Sequence, residues 1–217
     1  MRIINLGEHN SILNQFVAEL RDIHVQTDRL RFRRNVERIG EIMAYEISKD
    51  FSYSKKEVTS PLSTAIVSTP DDQVVVSTIL RAGLPYHHGF LNYLDKAENA
   101  FVSAYRKYKD RLNFDIHIEY IASPKLTDKT LLITDPMLAT GASLEMAWQA
   151  LQTKGEPSRI HVASIIASKQ AIAYIQKHMP EDKTTVWVAA IDNDLDEHSY
   201  IVPGLGDAGD LAYGEKE

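Results

Sequence analysis

The chain predicts an α/β fold, a mostly parallel central sheet with helices on both faces. Three observations carry it. Short apolar runs alternate with helical periodicities over most of the 217 residues. The run Val74-Val75-Val76-Ser77-Thr78-Ile79-Leu80 has the character of a strand covered on both sides. A second run, 131–134, passes through the small residues 139–143 into apolar positions Leu144, Ala147, Trp148 and Leu151 at helical spacing.

Taken in order, residues 10–21 read as a helix, with Ile12, Leu13, Phe16, Val17 and Leu20 on one face. Residues 28–49 read as a longer one, through Leu30, Val36, Ile39, Ile42, Met43 and Ile47. Its arginines 29, 31, 33, 34 and 38 are expected to form a solvated or subunit-contacting face, with phosphate contact the lesser alternative. Residues 57–67 are β-rich and broken at Pro61. Strand 74–80 runs directly into Arg81-Ala82-Gly83-Leu84-Pro85, and strand 101–105 ends at Arg106. Residues 116–122 suit one arm of a hairpin. Then follow strand 131–134, helix 143–154 closed by Gly155, strand 160–167, helix 169–178 closed before Pro180, and strand 184–191. No repeat or Pro/Ser-rich linker divides the chain. The expectation is a single domain over 1–217, with a helical segment at 1–50 and a separate closing element at 192–217.

Composition narrows the function. The chain is 44% hydrophobic and 25% charged, ordinary for a globular protein. It has no cysteine, which excludes disulfides and thiolate metal sites. No apolar run approaches the roughly 20 residues that cross a bilayer. The first five residues lack the core of a secretion signal, so a cytoplasmic protein is expected. A net charge of −6 weighs against a broad nucleic-acid surface. No G-x-x-x-x-G-K-[ST], H-E-x-x-H or G-x-S-x-G is present, which removes the main support for nucleoside-triphosphatase, zinc-protease and serine-hydrolase readings. The adjacent His87 and His88 read as a loop pair rather than a metal site. Asp192, Asp194, Asp196 and Glu197 read as a solvated loop, with metal contact the lesser alternative.

Two segments carry chemistry. The strand, small-residue turn and helix start over 131–151 expose unpaired amides at the positive end of a helix dipole, an arrangement that binds phosphate. Thr140 and Ser143 add hydroxyl donors, and Asp135 at the strand's end is an acceptor for sugar hydroxyls or a metal's water shell. The other segment is 200–214, which holds four of the ten glycines. Ile201, Val202, Leu205, Leu211 and Tyr213 argue against a loose tail. An ordered loop offering main-chain groups to a small flat molecule is expected. Arg81, Arg106 and Asp135 all fall at strand ends, where ligands of open α/β sheets bind.

Residues 134–143 (Thr-Asp-Pro-Met-Leu-Ala-Thr-Gly-Ala-Ser) closely resemble the phosphoribosyl-diphosphate loop of uracil phosphoribosyltransferases, within the type I phosphoribosyltransferases. Residues 79–84 resemble their pyrophosphate-contacting loop, and 200–214 their uracil-binding hood. The resemblance covers about 60–217. It implies transfer of a 5-phosphoribosyl group from phosphoribosyl diphosphate to uracil, giving UMP. Arg81 and Arg106 would hold pyrophosphate. Asp135 would accept from ribose hydroxyls. Pro136, Met137, Leu138, Ala139, Thr140, Gly141, Ala142 and Ser143 would bind phosphoribosyl diphosphate, the last five cradling its 5′-phosphate. Ile201, Gly206 and Ala208 would read uracil through the main chain, and Asp207 would belong to both subsites, facing the sugar–diphosphate side. Asp135, Arg81 and Asp207 are the catalytic candidates. The resemblance also implies Mg²⁺ held mainly by substrate rather than by protein side chains alone, a homodimer or homotetramer, no membrane or nucleic-acid partner, and GTP as a candidate effector.

Three departures stand out. Ala142 occupies a position where a second glycine is usual, so the loop must tolerate a Cβ. Pro85-Tyr86-His87-His88 replaces the usual glycine and methionine, and 107–111 is unusually basic. Lys107, Lys109 and Arg111 are expected to be solvated rather than to assist pyrophosphate. The non-catalytic alternative is a regulator of pyrimidine genes that binds RNA on the same scaffold.

Overall fold

A computed structural model describes residues 1–108 and 114–215, and side chains outside 104–119. Its centre is a sheet in the order β1 (Arg2–Asn5), β10 (Thr184–Asp192), β9 (Arg159–Ser168), β7 (Thr130–Thr134), β4 (Val74–Leu80), β5 (Glu98–Tyr108) and β6 (Phe114–Ala122). A two-residue β8 (Met137–Leu138) also pairs with β9. Every pairing in this sheet is parallel except β5–β6. The central strands are buried on both faces, as the apolar runs require.

Alternation along the strands sends side chains into two layers. Val74, Val76, Leu132, Ala163, Ile165 and Trp187 pack with α1 (Ile12–Arg21), α2 (Arg29–Ser48) and α3 (Leu84–Leu91). Val75, Leu131, Ile133, Ile160 and Val162 pack with α4 (Ala142–Gln152) and α5 (Lys169–His178). Side-chain caps explain several helix starts. Ser11 accepts from Leu13 N at 3.2 Å, Asp28 from Arg31 N at 3.0 Å and Ser168 from Ala171 N at 2.9 Å. Among the described residues no helix is long and apolar enough to cross a membrane.

The β-rich run around Pro61 is a projecting hairpin, β2 (Tyr53–Thr59) against β3 (Thr64–Pro70), with Leu62 at its tip 97% exposed. The segments 116–122 and 101–105 are the antiparallel pair β5–β6, and β5 extends to Tyr108. Three of the elements that were not expected bear on the packing. β1 is a short edge strand whose half-exposed residues show no periodicity. α3 has only eight residues, with proline in its first turn, and puts Tyr86, His87 and Phe90 in the core. His87 is thus buried, bonded through Nε2 to Asn99 Oδ1 at 2.7 Å, and is not part of a loop pair. The last is α6 (Ala208–Tyr213), inside the segment read as a loop.

Strands β4 and β7 are neighbours, yet the chain leaves β4 toward β5 on one side and β7 toward β9 on the other. This is the topological switch point, where the loops diverge and leave a crevice at the strands' carboxyl ends. Arg81 leaves β4 there and Asp135 leaves β7.

Candidate active site

The phosphate loop is held down one backbone group at a time. Asp135 N donates to Ala163 O at 3.1 Å, and the Pro136 carbonyl accepts from Ile165 N at 3.2 Å and Ile166 N at 3.1 Å. Pro136 has no N–H that needs a partner, and its carbonyl serves β9 as an acceptor. Ser168 Oγ donates to Ala139 O at 2.5 Å while capping α5, so one hydroxyl ties the loop to the next helix. Gly141 has φ 86° and stands as the N-cap of α4. Ala142 is the first residue of that helix and does not have positive φ. The left-handed turn therefore falls on Gly141, and the Cβ of Ala142 is accommodated without backbone strain. Thr140 Oγ1 accepts from Ala142 N at 3.3 Å, and Ser143 follows in the first turn, whose amides lack intrahelical acceptors.

Asp135 is largely enclosed. Burial pushes its carboxyl up to about 7, and the N–H of Met137, 3.2 Å from Oδ1, pulls it back down. The fully buried Tyr86 phenol is pushed well above its usual range, by burial first and then by the charge of Asp135.

The closing element begins where β10 ends. Asp192 is 8% exposed and takes both guanidinium nitrogens of Arg21 at 2.8 Å. It also accepts from Gly204 N at 3.0 Å, while Arg21 donates to Gly204 O at 2.9 Å. The acidic stretch is therefore not uniformly a solvated loop, because its first member clamps a turn. Gln26 adds a bond to Leu205 O at 3.2 Å. A short ribbon follows, β11 (Asp194–Leu195) against β12 (Ile201–Val202), and then Gly204 and Gly206 at φ 59° and 90°. Asp207 Oδ1 caps α6, accepting from Gly209 N at 2.8 Å and Asp210 N at 3.0 Å.

The arginines of α2 do more than face solvent. Arg33 donates to Ala212 O at 2.7 Å and lies over the Tyr213 ring, while Arg31 pairs with Glu19. Asp192→Asn removes a charge from a clamp that is mostly out of water. It is expected to cost about 2 kcal/mol of stability and to raise the uracil KM several-fold, as read by urea unfolding and initial rates.

Arg81 and the closing element meet. Arg81 Nη2 donates to Asp210 Oδ1 at 2.5 Å and to Gly214 O at 2.8 Å. Ile201, Leu205, Ala208 and Ala212 belong to one apolar cluster, against which Met137 and Ala139 of the phosphate loop also pack. Arg106 lies on β5 opposite Ile116, and its side chain lies outside the described residues, as does that of Lys107. Lys109 and Arg111 lie outside them altogether. Sequence reasoning missed Arg21, Asp192, Arg33 and Asp210, whose partners are distant in the chain and leave no periodic signal. It also passed over the string Gly204-Leu205-Gly206-Asp207-Ala208-Gly209, which fits G-x-G-x-x-G by letter. That string follows a two-residue strand and opens a six-residue helix, not the βαβ unit a dinucleotide needs.

This arrangement of sheet, switch-point loops and closing element defines a type I phosphoribosyltransferase fold. The orotate phosphoribosyltransferase of Mycobacterium tuberculosis, solved with 5-phospho-α-D-ribosyl 1-diphosphate, shares it at a TM-score of 0.53, with 15% identity over 86% of this chain and 94% of that one. The AQ2163 protein from Aquifex aeolicus superposes at a TM-score of 0.87, with 28% identity and 98% of each chain covered. A family model described as uracil phosphoribosyltransferase matches residues 8–215. The uracil phosphoribosyltransferase of Porphyromonas gingivalis is 69% identical over 216 residues, the full length of both. That of Methanococcus vannielii is 36% identical, over 96% of this chain and 88% of its own. The chain belongs to the uracil phosphoribosyltransferase family.

Proposed function

We propose that the chain transfers the 5-phosphoribosyl group of 5-phospho-α-D-ribose 1-diphosphate to uracil, giving UMP and diphosphate in pyrimidine salvage. The observation that carries this is the meeting of Arg81 with α6, one strand away from Asp135. Diphosphate, ribose and base subsites then adjoin. The relatives bear the name of the enzyme, and the RNA-binding alternative is not carried forward.

In this reading the C1′–oxygen bond to diphosphate breaks as uracil N1 bonds to C1′, and the N1 proton is released. Arg81 and Arg106 hold the diphosphate as its charge grows, and Asp135 accepts from the ribose hydroxyls. The amides of 139–143 hold the 5′-phosphate. Uracil's edge alternates acceptor, donor and acceptor, which the main chain at Ile201, Gly206 and Ala208 complements. Asp207, its Oδ1 committed to the α6 cap, faces the sugar–diphosphate side. A Mg²⁺ carried largely on substrate oxygens would find hard carboxylate acceptors in Asp135 and Asp207. When bound, Mg²⁺ would neutralise diphosphate charge. A cytoplasmic homodimer or homotetramer, with GTP as effector, completes the proposal.

The test is release of diphosphate with uracil, cytosine, hypoxanthine or adenine, with and without Mg²⁺ and GTP. Uracil is expected to react, and cytosine, which leaves buried main-chain groups unpaired, about 10⁴-fold more slowly. Turnover of a purine in preference to uracil would overturn the assignment.

A further inference from the structure

Arg81 is held in an unusual way. Both hydrogens of Nη2 are used within the protein, one on the Asp210 carboxylate at 2.5 Å and one on the Gly214 carbonyl at 2.8 Å. Nε and Nη1 make no hydrogen bond among the described residues. Three N–H donors of the guanidinium thus remain for an anion, aimed by the two that are fixed. Gly209 lies alongside Nε, where an added Cβ would stand 3.5 Å from that nitrogen, an ordinary contact distance. Asp210 and Gly209 are both in the first turn of α6, the helix that Asp207 caps and that opens with Ala208, the last of the proposed uracil-reading residues. The far end of α6 is held by guanidinium groups, Arg33 on the Ala212 carbonyl at 2.7 Å and Arg81 on that of Gly214. A helix C-terminus favours such cations.

From this geometry we infer that Asp210 is a positioning residue that couples the two halves of the site. It aims Arg81 at diphosphate, and through the same bond it makes the order of α6 depend on where Arg81 points. Diphosphate drawing Nε and Nη1 into place steadies α6 and with it the uracil-reading segment, and uracil settling that segment steadies the arginine. The coupling must be reciprocal, each ligand improving the other's affinity by the same factor. Asp210 itself touches neither ligand. The inference rests on the assignment of Arg81 to diphosphate and of the closing element to uracil.

Uracil and Mg-diphosphate test it without turnover, since together they lack a ribose. Calorimetry on the full-length protein would give the uracil Kd with and without saturating Mg-diphosphate, and the converse. The native protein is expected to bind each about tenfold tighter in the presence of the other. Asp210→Asn, which keeps the size and one acceptor but not the charge, should bring that factor close to one while uracil alone still binds. Asp210→Glu should restore part of it. A merely structural role would weaken both ligands and leave the factor unchanged. An unaltered factor in Asp210→Asn, or no coupling in the native protein that binds both ligands, overturns the inference alone. Failure of the native protein to bind uracil at all overturns the functional reading beneath it.

Discussion

Asp135→Asn is expected to lower kcat/KM for phosphoribosyl diphosphate by about 10³-fold and to make the folded protein more stable at pH 8. The two effects share one cause. The carboxyl sits where burial lifts its pKa from 3.8 to about 7, so its ionised form is the disfavoured one in the fold. Protonation favours the folded state, fully so below pH 3.8. That contribution is lost as pH rises through about 7. At pH 8 the native protein therefore carries an unfavourable buried charge that asparagine lacks. The gain should be on the order of 2 kcal/mol at pH 8 and small at pH 5. Thermal unfolding at the two pH values measures it, and an equal change at both would discard the electrostatic explanation. The native kcat/KM should rise with pH through a limb near 7, since that profile reports the free enzyme. Asparagine should remove the limb along with most of the activity.

Gly204→Ala is expected to disable the closing element while sparing the sheet. Gly204 has φ 59°, and a Cβ there would stand 2.0 Å from the Ile201 carbonyl oxygen. Backbone on both sides must move, because no flexible side chain can yield. Movement at 204 also pulls on Asp192, which receives the Gly204 N–H, and on Arg21 beyond it. The expected result is a fall of about 10²-fold in kcat/KM for uracil. Hydrogen exchange should quicken over 201–213, with Val74–Leu80 still protected. Retention of native uracil kinetics would show that the turn is not what shapes the base site.

Much of this was legible in the sequence because it obeys short-range rules. The strands around 74–80, 131–134 and 160–167 are buried on both faces and so read as continuous apolar runs. The phosphate loop shows itself as strand, small residues and helix within about twenty positions. What escaped is long-range or local in the wrong way. Arg21 and Asp192 are 171 positions apart, and Arg81 and Asp210 are 129 apart. No window contains either pair, so Arg21, Asp192 and Asp210 gave no sign of their partners, and Arg81 stood out only for its place at a strand end. Arg33 looked like one more member of a charged face, though the carbonyl it binds belongs to α6. The Ala142 departure looked troublesome because spelling does not reveal which residue of a turn takes the left-handed conformation. The backbone places it one residue earlier, at a glycine.

The clasp between Arg21 and the Asp192–Gly204 turn joins segments 171 and 183 positions apart. During synthesis α1 emerges long before that turn, so Arg21 waits for both of its partners while Arg31 already has Glu19 close by in sequence. The proposed base site is therefore fastened by a contact that can form only after residues 192–204 have been added to a chain whose α1 was made long before.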